Sequence, residues 1–168
     1  SDEVKEISYN AEDLIMKENV IVSLSKDGYV KKVSSKSYNA ADSAGVKEGD
    51  YLINLYETTT LNKLMILTKK GNYIYLPINN IPACKWKDLG KHISNFIAID
   101  PNDEVVKSYV VDDLSHDMEV VIYTKDGMVK KINLNDLTVS KYNKLYTYIK
   151  LKDNDLVVDV QRAKENTM

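Results

Sequence analysis

The sequence is poor in several residue types, and each shortage excludes a class of protein. Its 168 residues include one cysteine, Cys84, so neither a disulfide framework nor a cysteine metal cluster is expected. The two histidines, His92 and His116, have no partner at metal-ligand spacing. Apolar runs are only a few residues long, and the N-terminal residues are acidic rather than typical of a signal peptide. We therefore expect a soluble, cytoplasmic protein with no membrane partner.

Sequence motifs for chemistry are also missing. There is no G-x-S-x-G, no Walker-type phosphate loop, no G-x-G-x-x-G and no H-E-x-x-H. Acidic pairs such as Asp103-Glu104 adjoin predicted turns, where solvated carboxylates are common. We predict that this chain has no catalytic residues, no metal, no cofactor and no small-molecule substrate.

Charge is balanced overall and uneven in kind. The chain has 23 Lys and Arg against 25 Asp and Glu, which gives a formal net charge of -2, and Arg162 is its single arginine. This balance excludes a generally basic nucleic-acid coat protein. It still allows a basic face that is offset by an acidic one.

A strand–turn–strand pattern occurs three times, over residues 21–33, 65–76 and 121–132. In each copy a Ser/Thr-Lys-Asp/Lys-Gly turn separates two runs rich in β-branched and aromatic residues. Glycine supplies the positive φ that tight hairpin turns require. The pattern predicts that Gly28, Gly71 and Gly127 occupy equivalent hairpin turns.

A second signal is an aspartate that precedes a short apolar strand. It occurs at Asp50, Asp103 and Asp155, which are 53 and 52 residues apart. No long segment carries apolar residues at helical spacing. A period near 50 residues with several strands per unit is typical of propeller-like blades. The sequence therefore predicts an all-β repeat protein.

The repeat also suggests domain limits. We predict a single repeat domain of about three four-stranded blades, with units at 12–48, 49–101 and 102–154 and the start of a further blade at 155–168. The expected chain is then a truncated piece of a longer array. On this interpretation strand 155–160 lacks a hairpin partner, and its edge frays or pairs with another chain.

Lysines recur at equivalent places in the repeats and cluster around the single tryptophan, Trp86. A periodic row of cations follows a phosphate backbone without reading its sequence. The candidate DNA-binding residues are Lys31, Lys32, Lys36, Lys69, Lys70, Lys85, Lys87, Lys91, Lys130 and Lys131. Side chains alternate along a strand, so one lysine of each adjacent pair should be partly covered. Trp86 either anchors a blade or contacts DNA.

Residues 20–33 resemble the first blade of the C-terminal domain of bacterial type IIA topoisomerase A subunits. Residues 47–53 and 81–90 resemble the topoisomerase IV branch of that family, and the likeness runs from about residue 12 to residue 159. The resemblance implies a β-pinwheel, in which propeller-like blades exchange strands. It also implies that double-stranded DNA is wrapped or bent around a basic outer rim.

One departure separates the branches of this family. Gyrase A subunits carry a basic box, Q-[RK]-R-G-G-[RK]-G, after the first blade, whereas residues 37–45 here are neutral to acidic. The resemblance therefore implies topoisomerase IV chemistry, namely decatenation and relaxation in support of chromosome segregation. A gyrase wrapping domain, a protein-interaction propeller and an enzyme with a site at the blade axis remain alternatives.

The resemblance also implies what this chain does not contribute. In the family the catalytic tyrosine, the metal site and the ATPase belong to other domains or subunits, so none of them maps onto these residues. The parent enzyme is expected to use ATP and Mg and to form a heterotetramer with the ATPase subunit. Its expected location is the cytoplasm, in association with the nucleoid.

Overall fold

The computed structural model describes residues 14–112 and 118–164, which form eleven strands and very little helix. The strands are β1 (Asn19–Ser25), β2 (Tyr29–Ser34), β3 (Leu52–Thr59), β4 (Lys63–Thr68), β5 (Asn72–Pro77), β6 (Lys91–His92), β7 (Val105–Val111), β8 (Glu119–Thr124), β9 (Val129–Asn133), β10 (Tyr146–Thr147) and β11 (Val157–Arg162). The helices are α1 (Ser35–Ala40) and three short 3-10 turns at Ile78–Asn80, Ile93–Asn95 and Leu134–Leu137. The all-β prediction is confirmed.

Three antiparallel hairpins, β1–β2, β4–β5 and β8–β9, form where the sequence pattern predicts them. Their turn glycines, Gly28, Gly71 and Gly127, have φ values of 93°, 86° and 91°. Each glycine N–H donates to the carbonyl three residues earlier, at 3.0–3.1 Å. The prediction of equivalent turns is confirmed, and the positive φ explains why glycine stands at each of them.

The strands form three sheets, ordered β3-β1-β2-β6, β10-β5-β4-β7 and β11-β8-β9, which we call blades 1, 2 and 3. The strand that follows each aspartate pairs with the first strand of the preceding hairpin. The predicted units 49–101, 102–154 and 155–168 differ from this arrangement, because they place β3, β7 and β11 in the following blade. The prediction that strand 155–160 frays or pairs with another chain is wrong, because β11 pairs with β8 of the same chain.

Neighbouring blades exchange strands. The two-residue strand β6 follows the second hairpin in the chain but pairs with β2 of blade 1. In the same way β10 follows the third hairpin and pairs with β5 of blade 2. Among the described residues β9 has a partner on one side only. Each of the first two blades is thus completed by the repeat that comes after it.

The main core lies between successive blades, because each central strand has an apolar side chain on both faces. Val22 and Leu24 of blade 1 are fully buried in one cluster with Ile66 and Ile74 of blade 2. On its opposite face, blade 2 forms a second buried cluster with blade 3. The stacking of the blades is therefore driven by the removal of both faces of blade 2 from water.

The two repeating signals of the sequence belong to one structural device. The Oδ1 atom of Asp50 accepts hydrogen bonds from the backbone N–H of Asp27, in the hairpin turn, and from that of Tyr51, at 3.0 and 2.8 Å. Asp103 does the same for Lys70 and Glu104, and Asp155 for Asp126 and Leu156, at 2.8–3.0 Å. Each carboxylate joins a hairpin turn to the start of the strand that pairs with the first strand of that hairpin. We call these contacts the aspartate clamps.

The same edge of each blade faces inward. Strand β7 contacts both β3 and β11, and the Tyr56 hydroxyl donates to the Ser108 carbonyl at 2.8 Å across the first of these contacts. The opposite edges, formed by β6 beside β2, by β10 beside β5 and by β9, therefore point away from the common axis. We call these edges, with the short strands and loops beside them, the rim.

Candidate nucleic-acid interface

On blade 1 the rim is covered by a basic loop that comes from the second repeat. Ala83 bridges to Lys32, and Lys91 pairs with Val30, so residues 83–91 lie along β2. Lys85, Lys87 and Lys91 are exposed on this loop. Strand exchange therefore places three cations from one repeat on the outer edge of another.

Trp86 fixes this loop to the blade. Its side chain is 7% exposed and packs with Ile21 and Val33 on the outer face of blade 1. The ring of Tyr38, from the short helix α1, meets the indole edge-on at 5.0 Å between centroids. Of the two roles considered for Trp86, the structure gives it that of a packed anchor. Lys36 is exposed on α1, two residues before Tyr38.

Lys31 and Lys32 point to opposite faces, and one of them is covered, as predicted. Lys31 is 1% exposed, and its Nζ donates to the carbonyls of Gly45 and Trp86 at 2.7 and 2.8 Å. Lys32 is half-buried, with its Nζ 3.4 Å from the Asn79 carbonyl. Burial lowers the pKa of both lysines. The Lys31 charge is directed inward and does not belong to the exposed surface.

The turn lysines Lys69 and Lys70 are neutralised by carboxylates on the strand connection that follows. The Nζ of Lys69 lies 2.7 Å from Glu104, and that of Lys70 is paired with Asp100. These hydrogen bonds hold the pKa values of Glu104 and Asp100 below their usual range. Both lysines are half-buried and have little net charge to offer a ligand.

On blade 3 both members of the equivalent lysine pair, Lys130 and Lys131, are exposed on β9. The expectation that one of them is covered is wrong here, because both are exposed and no described strand pairs with the β9 edge. Lys131 forms an ion pair with Glu119 on the neighbouring strand, at 2.9 Å. Lys130 is the rim cation that blade 3 offers without such a partner among the described residues.

Blade 2 carries two rim lysines that the sequence reasoning missed. Lys141 and Lys144 are exposed on the loop before β10, on either side of Tyr142. This loop corresponds to the Trp86 loop, since Tyr142 lies 56 residues after Trp86 and Gly127 lies 56 residues after Gly71. Applying that offset to Lys85 would have led to Lys141.

The rim as a whole suits an extended polyanion. Exposed lysines with no ion-pair partner among the described residues occur on all three blades, namely Lys36, Lys85, Lys87, Lys91, Lys130, Lys141 and Lys144. Ammonium groups on flexible stems suit phosphate oxygens, whose positions vary along a duplex. Residues 14–112 and 118–164 hold no group of three or more His, Cys, Asp and Glu side chains placed to bind a metal.

His92 is engaged in hydrogen bonds within blade 1. His92 is held at the first hairpin turn, with its Nε2 at 2.8 Å from the Asp27 carbonyl and its Nδ1 at 2.8 Å from the Ser94 hydroxyl. His116 lies outside the described residues. None of the described helices is long and apolar enough to cross a membrane.

Stacked antiparallel blades that complete one another by strand exchange define the β-pinwheel, a variant of the β-propeller. The family described as "DNA gyrase C-terminal domain, beta-propeller" matches residues 19–56, 62–112 and 119–164. These three segments correspond to the strands β1–β3, β4–β7 and β8–β11, with the first segment ending within β3. The chain belongs to this family, and the resemblance seen in the sequence is confirmed.

Individual relatives agree. The chain is 35% identical to the A subunit of DNA topoisomerase 4 from Bacillus subtilis over 161 residues, which is 95% of this chain and 20% of that protein. A crystal structure of the C-terminal domain of DNA topoisomerase IV matches with a TM-score of 0.84 at 40% identity, over 89% of this chain and 47% of that one. The C-terminal domain of E. coli ParC shares the fold at 16% identity and a TM-score of 0.68, over 88% of this chain and 58% of that one. The chain thus spans about a fifth of the curated relative.

Proposed function

We propose that this domain binds and bends double-stranded DNA, without sequence specificity, for a type IIA topoisomerase of the topoisomerase IV branch. One observation carries the proposal. Exposed lysines lie on the outer edge of three successive blades, whereas turn lysines such as Lys69 and Lys70 are paired with carboxylates. Lysines without an ion pair among the described residues are therefore present on the rim of every blade, although the net charge of the chain is -2 and other exposed lysines, such as Lys125, lie away from the rim.

Phosphate contact explains how such a rim would work. Each lysine that approaches a phosphate releases a condensed counterion, so affinity comes largely from salt release and falls steeply with ionic strength. The positive charge of the rim is carried by the ammonium groups of lysine, and the chain has one arginine, the side chain that most often makes bidentate contacts to guanine. Binding is therefore governed by the backbone of the duplex rather than by its sequence.

Bending follows from the arrangement of the blades. Because β3, β7 and β11 face a common axis, the rim lysines of successive blades lie on an arc around it. A duplex that contacts all three groups has to curve. Smooth bending of a site of 20–30 base pairs by 40–90° costs on the order of 1–6 kcal/mol, which a few lysine–phosphate contacts can offset.

In the parent enzyme we assign this domain a non-catalytic role. It would present a bent DNA segment to the rest of the enzyme during decatenation and relaxation, and so act in chromosome segregation in the cytoplasm. No catalytic step, metal or nucleotide is assigned to these residues; ATP and Mg are assigned to the remainder of the enzyme and its ATPase subunit. The neutral stretch at residues 37–45 argues against the wrapping role of a gyrase A domain.

A second candidate, a protein-interaction module, is favoured by one observation. Val129 of blade 3 is 62% exposed, whereas the equivalent residues Val30 and Tyr73 are buried at 0% and 4% against the next blade. This apolar position would suit a protein partner better than a phosphate. The candidate predicts no salt-dependent binding of DNA.

The test is a salt titration of binding to a fluorescent duplex of about 40 base pairs, followed by anisotropy. We expect the logarithm of affinity to fall against the logarithm of salt with a slope near -3 or steeper, because several phosphates are neutralised. Replacement of Lys85, Lys87 and Lys91 by Gln should reduce the slope by roughly 0.9 per lysine. Energy transfer between dyes on the two duplex ends should rise on binding.

The matched control is an exposed lysine away from the rim. Lys125 lies in the third hairpin turn, with its Nζ at 2.8 Å from the Asn154 carbonyl, and Lys125→Gln should leave the slope unchanged. Equal effects of the rim and turn substitutions would contradict the proposal. Duplex binding that persists without loss at high salt would also contradict it. The absence of duplex binding even at low salt is the outcome that the protein-interaction candidate predicts.

A further inference from the structure

Lys31 is a buried cation that the proposed DNA contacts do not use. Its side chain is 1% exposed, and its ammonium lies 4.4 Å from the centroid of the Trp86 ring. The carbonyl oxygens of Gly45 and Trp86 accept its two hydrogen bonds. Two carbonyls and an indole face thus supply three partners for the three N–H donors of the ammonium.

These partners belong to two different loops. Gly45 follows α1, and Trp86 lies at the centre of the basic loop; the Gly45 N–H donates to the Trp86 carbonyl at 3.0 Å. A Cβ atom on Gly45 would stand 1.9 Å from the Lys87 carbonyl oxygen, so the two backbones are in direct contact. The Lys31 ammonium therefore joins both loops to β2 at the point where they meet.

The fold does not require a charge at this position. The equivalent residue of the second repeat is Ile74, which is fully buried in the core, and that of the third is Lys130, which is exposed. A buried charge is costly unless its hydrogen bonds are satisfied, and an apolar residue of similar size is often as stable. A role for the Lys31 charge beyond stability accounts for this difference between the repeats.

We propose that Lys31 is a positioning residue of the DNA interface, a proposal that rests on the function proposed above. It contacts no phosphate. Its ammonium holds the Trp86 loop in one conformation, so that Lys85 and Lys87, on either side of Trp86, stand ready for adjacent phosphates. Because the Trp86 loop is already ordered, less conformational entropy is lost on binding, and this raises affinity without adding a charge contact.

The experiment uses Lys31→Met, which keeps the length of the side chain and removes the ammonium. Trp86 is the single tryptophan, so its fluorescence reports on the loop without labelling. We expect a red-shifted emission, stronger quenching by acrylamide, and DNA affinity that is lower by about tenfold at every salt concentration. The slope against salt should stay that of the unsubstituted chain. Lys87→Gln should instead reduce the slope by roughly 0.9 and leave the emission unchanged.

A second variant covers the case in which Lys31→Met does not fold. Gly45→Ala leaves β2 and Lys31 intact but forces the two loops apart, and it should lower affinity with an unchanged slope. A slope reduced by about 0.9 in Lys31→Met would overturn the proposal, because Lys31 would then contact a phosphate itself. Unchanged affinity in both variants would overturn it as well. If the unsubstituted chain binds no DNA, the proposed function fails, and the positioning role fails with it.

Discussion

Substitution of two equivalent glycines by alanine should separate the cost of the hairpin turn from the contribution of strand exchange. Gly71 and Gly127 have nearly the same φ, 86° and 91°. A Cβ on Gly71 would lie 2.4 Å from the carbonyl oxygen of Ile149, in the exchanged segment, whereas a Cβ on Gly127 meets no described atom within 4 Å. The two substitutions therefore introduce the same backbone strain, but only Gly71→Ala adds a clash with the Ile149 carbonyl oxygen.

The expected magnitudes follow from these contacts. Alanine in a left-handed conformation costs about 1–2 kcal/mol, which is the whole expected effect of Gly127→Ala. In Gly71→Ala the clash also displaces the N–H groups of Tyr148 and Ile149, which donate to the Gly71 carbonyl at 2.9 and 3.3 Å. Two lost hydrogen bonds add roughly 1–3 kcal/mol. Gly71→Ala should therefore be the more destabilising by at least about 1 kcal/mol.

Urea unfolding, followed by far-ultraviolet circular dichroism, measures both free energies of unfolding. Amide hydrogen exchange at Tyr148 adds a local readout, which should accelerate in Gly71→Ala and stay slow in Gly127→Ala. Equal losses of stability in the two variants would refute the argument. They would mean that strand exchange contributes nothing to the stability of blade 2.

Two further predictions concern buried polar groups. Burial raises the pKa of Tyr109 to about 12, so its neutral form stabilises the fold below pH about 10 and that stability is lost as the pH rises towards 12. Tyr109→Phe should reduce the alkaline loss of stability, as measured by unfolding at stepped pH, and leave the part that comes from the raised pKa values of Tyr56 and Tyr73; an identical pH profile would contradict it. Asp50→Ala should lower the free energy of unfolding by about 2–4 kcal/mol, because the first aspartate clamp loses two charge-assisted hydrogen bonds. Asp50→Asn keeps an acceptor and should lose less in the same urea titration.

The predictable parts of the fold are those that are specified by residues close together in the sequence. Each hairpin is specified within about a dozen residues by its glycine and its flanking apolar runs, so all three were found. The sequence pattern predicted the wrong repeat unit for β3, β7 and β11, each of which pairs with the preceding hairpin. Their sequences show apolar strands, but the choice of partner depends on the clamp between an aspartate and an earlier turn, which no local pattern reveals.

The candidate interface was predictable in position more than in detail. Repetition pointed to lysines at the outer edges, yet Lys31 and Lys130 have the same place in the repeat and opposite environments. The difference arises because the Trp86 loop covers Lys31 at the β2 edge of blade 1, while no described strand pairs with the corresponding β9 edge of blade 3. Whether the lysine at this repeat position is buried depends on the segment that packs beside its strand rather than on the sequence of the strand.

Strand exchange also determines how mechanical load travels through the array. Lys91 is covalently part of the second repeat but is hydrogen-bonded into the sheet of the first. Tension applied at this residue by a bent duplex would pull along the β6–β2 ladder in shear, and along the backbone into blade 2. Two blades would then share the force that acts at one DNA contact. The array would therefore resist the separation of its blades one at a time.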